Sequence, residues 1–276
     1  MPARELSLTG LAKEFPPPVA GAPPVLALDR VSLRVAASEI VSIVGPSGCG
    51  KSTLLRLVAG FDAPTGGTIR LSGRAVSGPG PDRGMVFQQP TLFPWKSVLD
   101  NVAVGPRMRG VPKAECREEA GRYLQAVKLR GFERHFPYQL SGGMRQRVQI
   151  ARVLINRPDV LLMDEPFGAL DFQTRLEMQA LLLDLWAQYR PSVLFITHDV
   201  DEAIFISDRV YVMSGAPGRI VDEIAVPFGK PRGYATVTAS ERFAALKIRI
   251  LERLGYASQP PELAARDGGA AASSGT

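Results

Sequence analysis

Cysteine, histidine and tryptophan are scarce in this sequence, at two residues each in 276. Cys49 and Cys116 do not make a disulfide framework, because Cys49 sits inside a glycine-rich loop; a reducing cytoplasm is the compartment to expect. No apolar run approaches the roughly 18 residues a membrane-spanning helix needs. The opening "MPARELSLTG" has no apolar segment of the kind that makes a secretory signal. Internal repeats are missing, and so is a second glycine-rich loop. Charge of one sign is not in great excess, with 33 Lys and Arg against 27 Asp and Glu. A net +6 suits a phosphate binder with a mildly basic surface and is too small to argue for nucleic acid.

What remains is an ordinary globular composition, 45% hydrophobic, long enough for one large domain or two small ones. "PPPVAGAPP" (residues 16–24) neither pairs as a strand nor continues a helix and reads as an extended loop. "DGGAAASSGT" at the end is small and polar, and a disordered tail is expected there.

The first chemical signal is "GPSGCGKST", Gly45 to Thr53. A β-branched apolar run, "EIVSIV", precedes it, and "LLRLVAG" follows with apolar spacing that predicts a helix ending at Gly60. A glycine-rich loop between a strand and a helix N-terminus turns backbone N–H groups and the positive end of the helix dipole toward an anion. Lys51 adds a cation for the outer phosphates of a nucleotide, and Ser52 a hydroxyl for Mg²⁺.

"DVLLMDEP" reads as a strand buried on both faces whose two acids emerge at its carboxyl end. There Asp164 would hold Mg²⁺, directly or through water, and Glu165 would polarise an attacking water. "SVLFITHD" repeats the plan and brings His198 to a strand end within reach of a γ-phosphate. In "LSGGMRQR", Ser141 is poised as the N-cap of a helix carrying Val148, Ala151 and Leu154, which makes a second anion-binding helix terminus without a lysine.

Taken in order, these motifs resemble the ATP-binding subunits of ABC transporters over about residues 5–230. "MVFQQ" puts Gln88 at the family's Q-loop glutamine. "LSGGMRQR" matches the signature motif, "VLLMDE" the Asp-Glu strand, "GALD" the D-loop and "ITHD" the switch histidine. "TLFPWKSVLDNVAVG" and "DEAIFISDRVYVMSGAPGRI" are similar to the ATPases of nitrate, sulfonate and taurine importers.

The resemblance implies an α/β fold: a P-loop NTPase core of ABC ATPase type, with an N-terminal antiparallel β region and a helical subdomain. It implies an ATPase domain over 1–230 with the helical subdomain inserted at about 89–158, a C-terminal helical extension over 231–265, and the tail at 266–276. In the extension, Phe243, Leu246, Ile250 and Leu254 stand at helical spacing and predict an amphipathic helix packed on the core.

For the site, the resemblance implies that Gly45, Pro46, Ser47, Gly48, Cys49, Gly50, Lys51, Ser52 and Thr53 cradle ATP and that Phe15 stacks on adenine. Ser141, Gly142 and Gly143 would serve the ATP of a second copy. Ser52, Asp164 and Gln88 would attend Mg²⁺. Glu165, His198, Lys51 and Gln88 would carry hydrolysis, with Gln88 sensing the γ-phosphate as the hinge of the helical subdomain.

The partners implied are a second ATPase subunit, integral membrane permease subunits and, indirectly, a solute-binding protein, at the cytoplasmic face of a bacterial inner membrane. Nucleic acid is not expected, although a soluble ABC-type ATPase acting on nucleic acid or ribosomes is the rival class. Uptake of a sulfonate, taurine or nitrate-like anion is implied, with a pyrimidine-type compound as the other cargo. Two local expectations complete the reading. Lys51 and the loop amides favour a reactive thiolate at Cys49. Trp95, in "FPWKS", is either an interface anchor or part of the helical subdomain's own core.

Overall fold

The computed structural model describes residues 5–256 except 18 and 20. Ten strands and nine α-helices are found among the described residues, in the order β1 (Leu6–Phe15), β2 (Val25–Val35), β3 (Ile40–Val44), α1 (Lys51–Ala59), β4 (Gly66–Leu71), β5 (Arg74–Ala75), β6 (Arg83–Val86), α2 (Val98–Val102), α3 (Val104–Met108), α4 (Lys113–Ala126), α5 (Gly142–Leu154), β7 (Val160–Asp164), α6 (Phe172–Tyr189), β8 (Ser192–Ile196), α7 (Val200–Ile206), β9 (Arg209–Met213), β10 (Ile220–Ala225), α8 (Tyr234–Thr238) and α9 (Glu241–Arg253). The tail expected at 266–276 and the last residues of the expected extension lie outside the described residues.

Two sheets form. The antiparallel one has the order β2-β1-β4-β5, and the larger one β10-β9-β3-β8-β7-β6, parallel except for the β10 edge. Leu6 and Leu8 of β1 point inward two residues apart. Gly10, in the left-handed region (φ 58°), then shifts the register so that Leu11 is the next residue inward.

In the parallel sheet, odd and even positions go to opposite faces, and both faces are covered. Val41, Ile43, Leu162, Leu194 and Ile196 pack with α1 and the antiparallel sheet. Ile40, Leu161, Met163, Val193 and Phe195 pack with the helices of the other side. That double burial is why β3, β7 and β8 read as unbroken apolar runs.

Pairing fixes where those strands stop. Ile43 is level with Ile196, and Ile196 with Asp164. The three following segments therefore emerge side by side at one edge: the glycine-rich loop, the Asp-Glu pair and the Thr197-His198 turn. Helices α2 to α5 fill the stretch between β6 and β7, which are themselves neighbours in the sheet.

After β10 the chain turns back onto α7. The Arg232 side chain, fully buried, donates to the carbonyls of Ile204 (3.3 Å), Phe205 (2.8 Å) and Ser207 (2.7 Å) at the end of that helix, and to Phe228 (2.7 Å). Phe243 and Ile250 of α9 are buried, with Leu246 and Leu254 partly so. At the start of α7, Lys247 reaches Asp201 (2.9 Å).

Candidate functional site

Helix α1 begins without a side-chain cap. Its N-cap is Gly50 in the left-handed region (φ 95°), and the first helical rung runs from Leu54 N to Gly50 O at 2.9 Å. The amides of Lys51, Ser52 and Thr53 come before that rung, at the positive end of the helix. Gly45 has no room for a side chain: a Cβ there would stand 2.8 Å from Cys49 Sγ and 2.9 Å from the Met213 carbonyl. Pro46, Ser47 and Gly48 form the outer turn, with Ser47 and Gly48 exposed. The Lys51 ammonium is drawn into this turn, donating to Gly45 O (2.8 Å) and Pro46 O (3.0 Å), and is only 6% exposed. A dry cation beside the uncapped amides of α1, in a loop closed to a side chain at Gly45, fits a polyphosphate.

Ser52 Oγ donates to Asp164 Oδ1 at 3.1 Å. Burial pushes the Asp164 carboxyl above its ordinary value, partly offset by the Ser52 hydroxyl. Among the described residues no three His, Cys, Asp or Glu side chains converge as a metal cage. A hydroxyl and one carboxylate of hard oxygen fit Mg²⁺, which takes one or two protein ligands alongside substrate phosphates.

Glu165 follows in the left-handed region (φ 41°), held by its N–H donating to Ile196 O (2.9 Å). A non-glycine residue there costs about 1–3 kcal/mol. Its Oε2 meets His198 Nδ1 at 2.9 Å. Gln88 also converges on this point: a Cβ added to Gly168 would lie 3.6 Å from Gln88 Nε2 and 3.8 Å from Glu165 Oε2. Five of the residues singled out from sequence thus meet in two linked pairs, Ser52–Asp164 and Glu165–His198, with Gln88 beside the second.

Phe15 is the last residue of β1, opposite Val25 of β2. Its ring is 37% exposed, with Lys13 Nζ 5.0 Å from the centroid. The same strand pair borders the loop, since a Cβ at Gly50 would stand 2.7 Å from Leu28 Cδ2 and 3.0 Å from Ala27 O. Ser141 caps α5, accepting from Met144 N at 3.2 Å, while Gly142 and Gly143 pack toward Leu170 and Thr174 on the D-loop side.

One expectation is overturned. Cys49 is 1% exposed, and burial pushes its thiol up despite the nearby Lys51 charge. The side chain turns inward under Gly45, so the loop amides do not make it a reactive thiolate. For Trp95, the core alternative is not what is observed. The ring is 71% exposed and tilts against Phe93, centroids 5.6 Å apart.

Sequence reasoning missed Arg175 and Asp199. Asp199 caps α7, accepting from Asp201 N (2.9 Å) and Glu202 N (3.1 Å), and takes Arg175 Nη1 at 3.2 Å. Arg175 Nη2 donates to Leu170 O (3.0 Å), which fastens the D-loop to the turn bearing His198. The capping position of Asp199 was legible before an acidic first turn; the arginine inside α6 carried no local signal.

The ABC transporter family model matches residues 28–168. The taurine import ATP-binding protein TauB of Chromobacterium violaceum is 55% identical over 229 residues, 82% of this chain and 88% of that protein. The nitrate import ATP-binding protein NrtD of Synechocystis is 52% identical over 202 residues, 73% and 76% of the two chains. Among solved structures, the dimeric post-hydrolysis state of the ATP-binding cassette MJ0796 bound to ADP and Pi superimposes with a TM-score of 0.70. It is 32% identical, covering 81% of this chain and all of the other.

Proposed function

This chain belongs to the ABC transporter family as an ATP-hydrolysing importer cassette, and on that premise we propose that it powers uptake of a small oxyanion: a sulfonate, taurine or nitrate. One observation carries the choice of solute, namely the taurine and nitrate import proteins about half identical to it over most of its length.

In this reading Lys51 and the amides of Gly48 to Thr53 hold the phosphates, and Phe15 stacks on adenine. Ser52, Asp164 and Gln88 attend Mg²⁺, which when bound supplies charge neutralisation across the β- and γ-phosphates. Glu165 accepts a proton from the attacking water. An ionised Glu165 has no proton to give, so His198 Nδ1 is the donor in their bond. His198 then donates to a γ-phosphate through Nε2 as imidazolium, or through Nδ1 by exchanging Glu165 for the phosphate. Ser141, Gly142 and Gly143, at a helix start that offers donors but no lysine, complete the site of a second copy. The dimeric cassette at 32% identity supports that arrangement.

The partner is a permease embedded in the membrane, with the cassette at its cytoplasmic face and a solute-binding protein acting beyond it. Among the described residues no helix is long and apolar enough to cross a membrane. A groove of about 500 Å³ beside the exposed Phe93-Trp95 loop, lined by Met85, Met108, Arg83 and Arg152, suits a permease segment. For domain limits we take 1–230 as the ATPase with the helical subdomain at about 89–158, and 231–265 as an extension. Support comes from α2 to α5 entering between adjacent parallel strands.

The test is ATP-dependent uptake by vesicles holding the reconstituted complex and its binding protein, with taurine, other sulfonates, nitrate, a pyrimidine, a sugar and a metal ion offered in turn. Carriage of the pyrimidine, a sugar or a metal but none of the oxyanions overturns the choice of solute. Trp95→Ala should weaken co-purification with the permease about tenfold while leaving the isolated ATPase intact; lost basal ATPase would point to a structural role instead.

A further inference from the structure

Two fully buried glutamines in α5 face the segment that carries Gln88. Gln149, at 0% exposure, uses both ends of its amide. Nε2 donates to Phe87 O at 2.9 Å, and Oε1 accepts from Thr91 N at 2.7 Å. Gln146 Nε2 adds a longer donation to Phe87 O, 3.3 Å. Arg152, one turn further along α5, donates to Thr91 O (2.8 Å) and Thr91 Oγ1 (2.9 Å).

Both ends of the five-residue stretch 87–91 are therefore tied to the helix that begins at the signature motif. The sheet lets go just before it, since the last register pair of β6 is Val86 with Met163.

We propose that Gln149 is a positioning residue that makes Gln88 part of the signature helix, so that the lobe flexes between Val86 and Phe87 and not at Gln88. Solvent and nucleotide do not reach Gln149; it acts only through the backbone it grips. Buried polar side chains with both functions satisfied rigidify what they join. Gln88 then enters or leaves the γ-phosphate position only when α5 moves, and with it Ser141 and Gly143. The state of one nucleotide site is thereby tied to the residues offered to the other. This rests on the reading of Gln88 given above.

The test is steady-state ATPase kinetics of the full chain for Gln149→Ala, Gln149→Met, Gln88→Ala and the double variant Gln88→Ala/Gln149→Ala, with amide hydrogen exchange at Thr91. Gln149→Ala should lower kcat about tenfold with KM for ATP within twofold, a cost in keeping with a small misplacement of a reacting group. Thr91 should lose protection. Gln149→Met keeps the volume but neither hydrogen bond and should slow turnover as far as the alanine variant, which covers the case that the alanine variant folds poorly because of its cavity. If Gln149 works through Gln88, the double variant is no slower than Gln88→Ala alone; independent structural damage multiplies instead. Multiplied losses, or an unchanged kcat with Thr91 unprotected, overturn the proposal. If Gln88→Ala itself leaves kcat untouched, the failure belongs to the reading of Gln88 as a γ-phosphate group.

Discussion

Helix α1 follows a glycine-rich turn and helix α5 opens on two glycines, and both offer an N-terminus at which an anion is stabilised. They are built differently. Helix α1 has a left-handed glycine for its cap, no side chain on its first amides, and a lysine folded dry into the preceding turn. Helix α5 has a serine cap that already satisfies Met144 N, and its first-turn cations point elsewhere: Arg145 donates to Leu140 O and Arg147 to Glu177. The first terminus can hold a polyphosphate by itself. The second can only add donors to one that is held already. That difference in local chemistry supports the proposed division of the site between two copies.

The largest effect separates chemistry from both termini. Glu165→Gln leaves α1 and α5 untouched, so ATP should still bind and still draw two copies together in sedimentation. Turnover should fall by about 10²–10⁴. A variant that hydrolyses ATP at near the native rate removes Glu165 from its role.

Next in size is the direct contrast. Lys51→Ala should weaken ATP binding to the monomer by about 100-fold, the scale of a charge-assisted contact to phosphate. Ser141→Ala should leave monomer binding within about twofold yet slow dimer turnover about tenfold. Equal losses of monomer affinity in calorimetry would erase the distinction between the two helix ends.

Asp164 sharpens the α1 side. Its folded-state carboxyl titrates above an ordinary aspartate because it is buried. The native chain therefore holds that proton more tightly than the unfolded chain, and stability declines as pH rises through the interval between the two values. Asp164→Asn should raise the nucleotide-free Tm above that interval, on the order of 2 °C, while abolishing Mg²⁺-dependent turnover. Native activity should also fall on acidification sooner than an unperturbed carboxylate would dictate. A variant less stable than the native chain would mean that the Ser52 contact outweighs burial. The smallest effect concerns the thiols. With Cys49 and Cys116 both buried, a maleimide should label the native chain slowly and reach two thiols only in denaturant; rapid labelling would place Cys49 at the surface of the loop.

The strands that bear the site were legible because burial on both faces leaves an unbroken apolar run, as in "VLLMDE" and "SVLFITHD". The loop and its lysine were legible because glycine spacing reports backbone curvature. Cys49 misled for a related reason: sequence shows its neighbours along the chain, Lys51 and the amides, but not the Met213 backbone that closes over Gly45. Gln149 gave no warning, since a glutamine inside an amphipathic helix reads as solvated until the backbone of Phe87 and Thr91 is seen against it. Trp95 was open to two readings because nothing local says which way a loop tryptophan faces. Arg175 reaches the Asp199 carboxylate and Arg232 the carbonyls that end α7, partners more than twenty residues away that no spacing rule detects.

Arg232 has a consequence for how this cassette can be handled. Its guanidinium closes the carbonyl end of α7, the helix that starts one residue after Asp199 and two after His198. Trimming the chain just after β10 would take away the donor that holds those three carbonyls at the far end of the switch helix. The segment beyond β10 is therefore not modular: a cassette shortened to its strands gives up, along with mass, the clamp on the helix that follows the histidine.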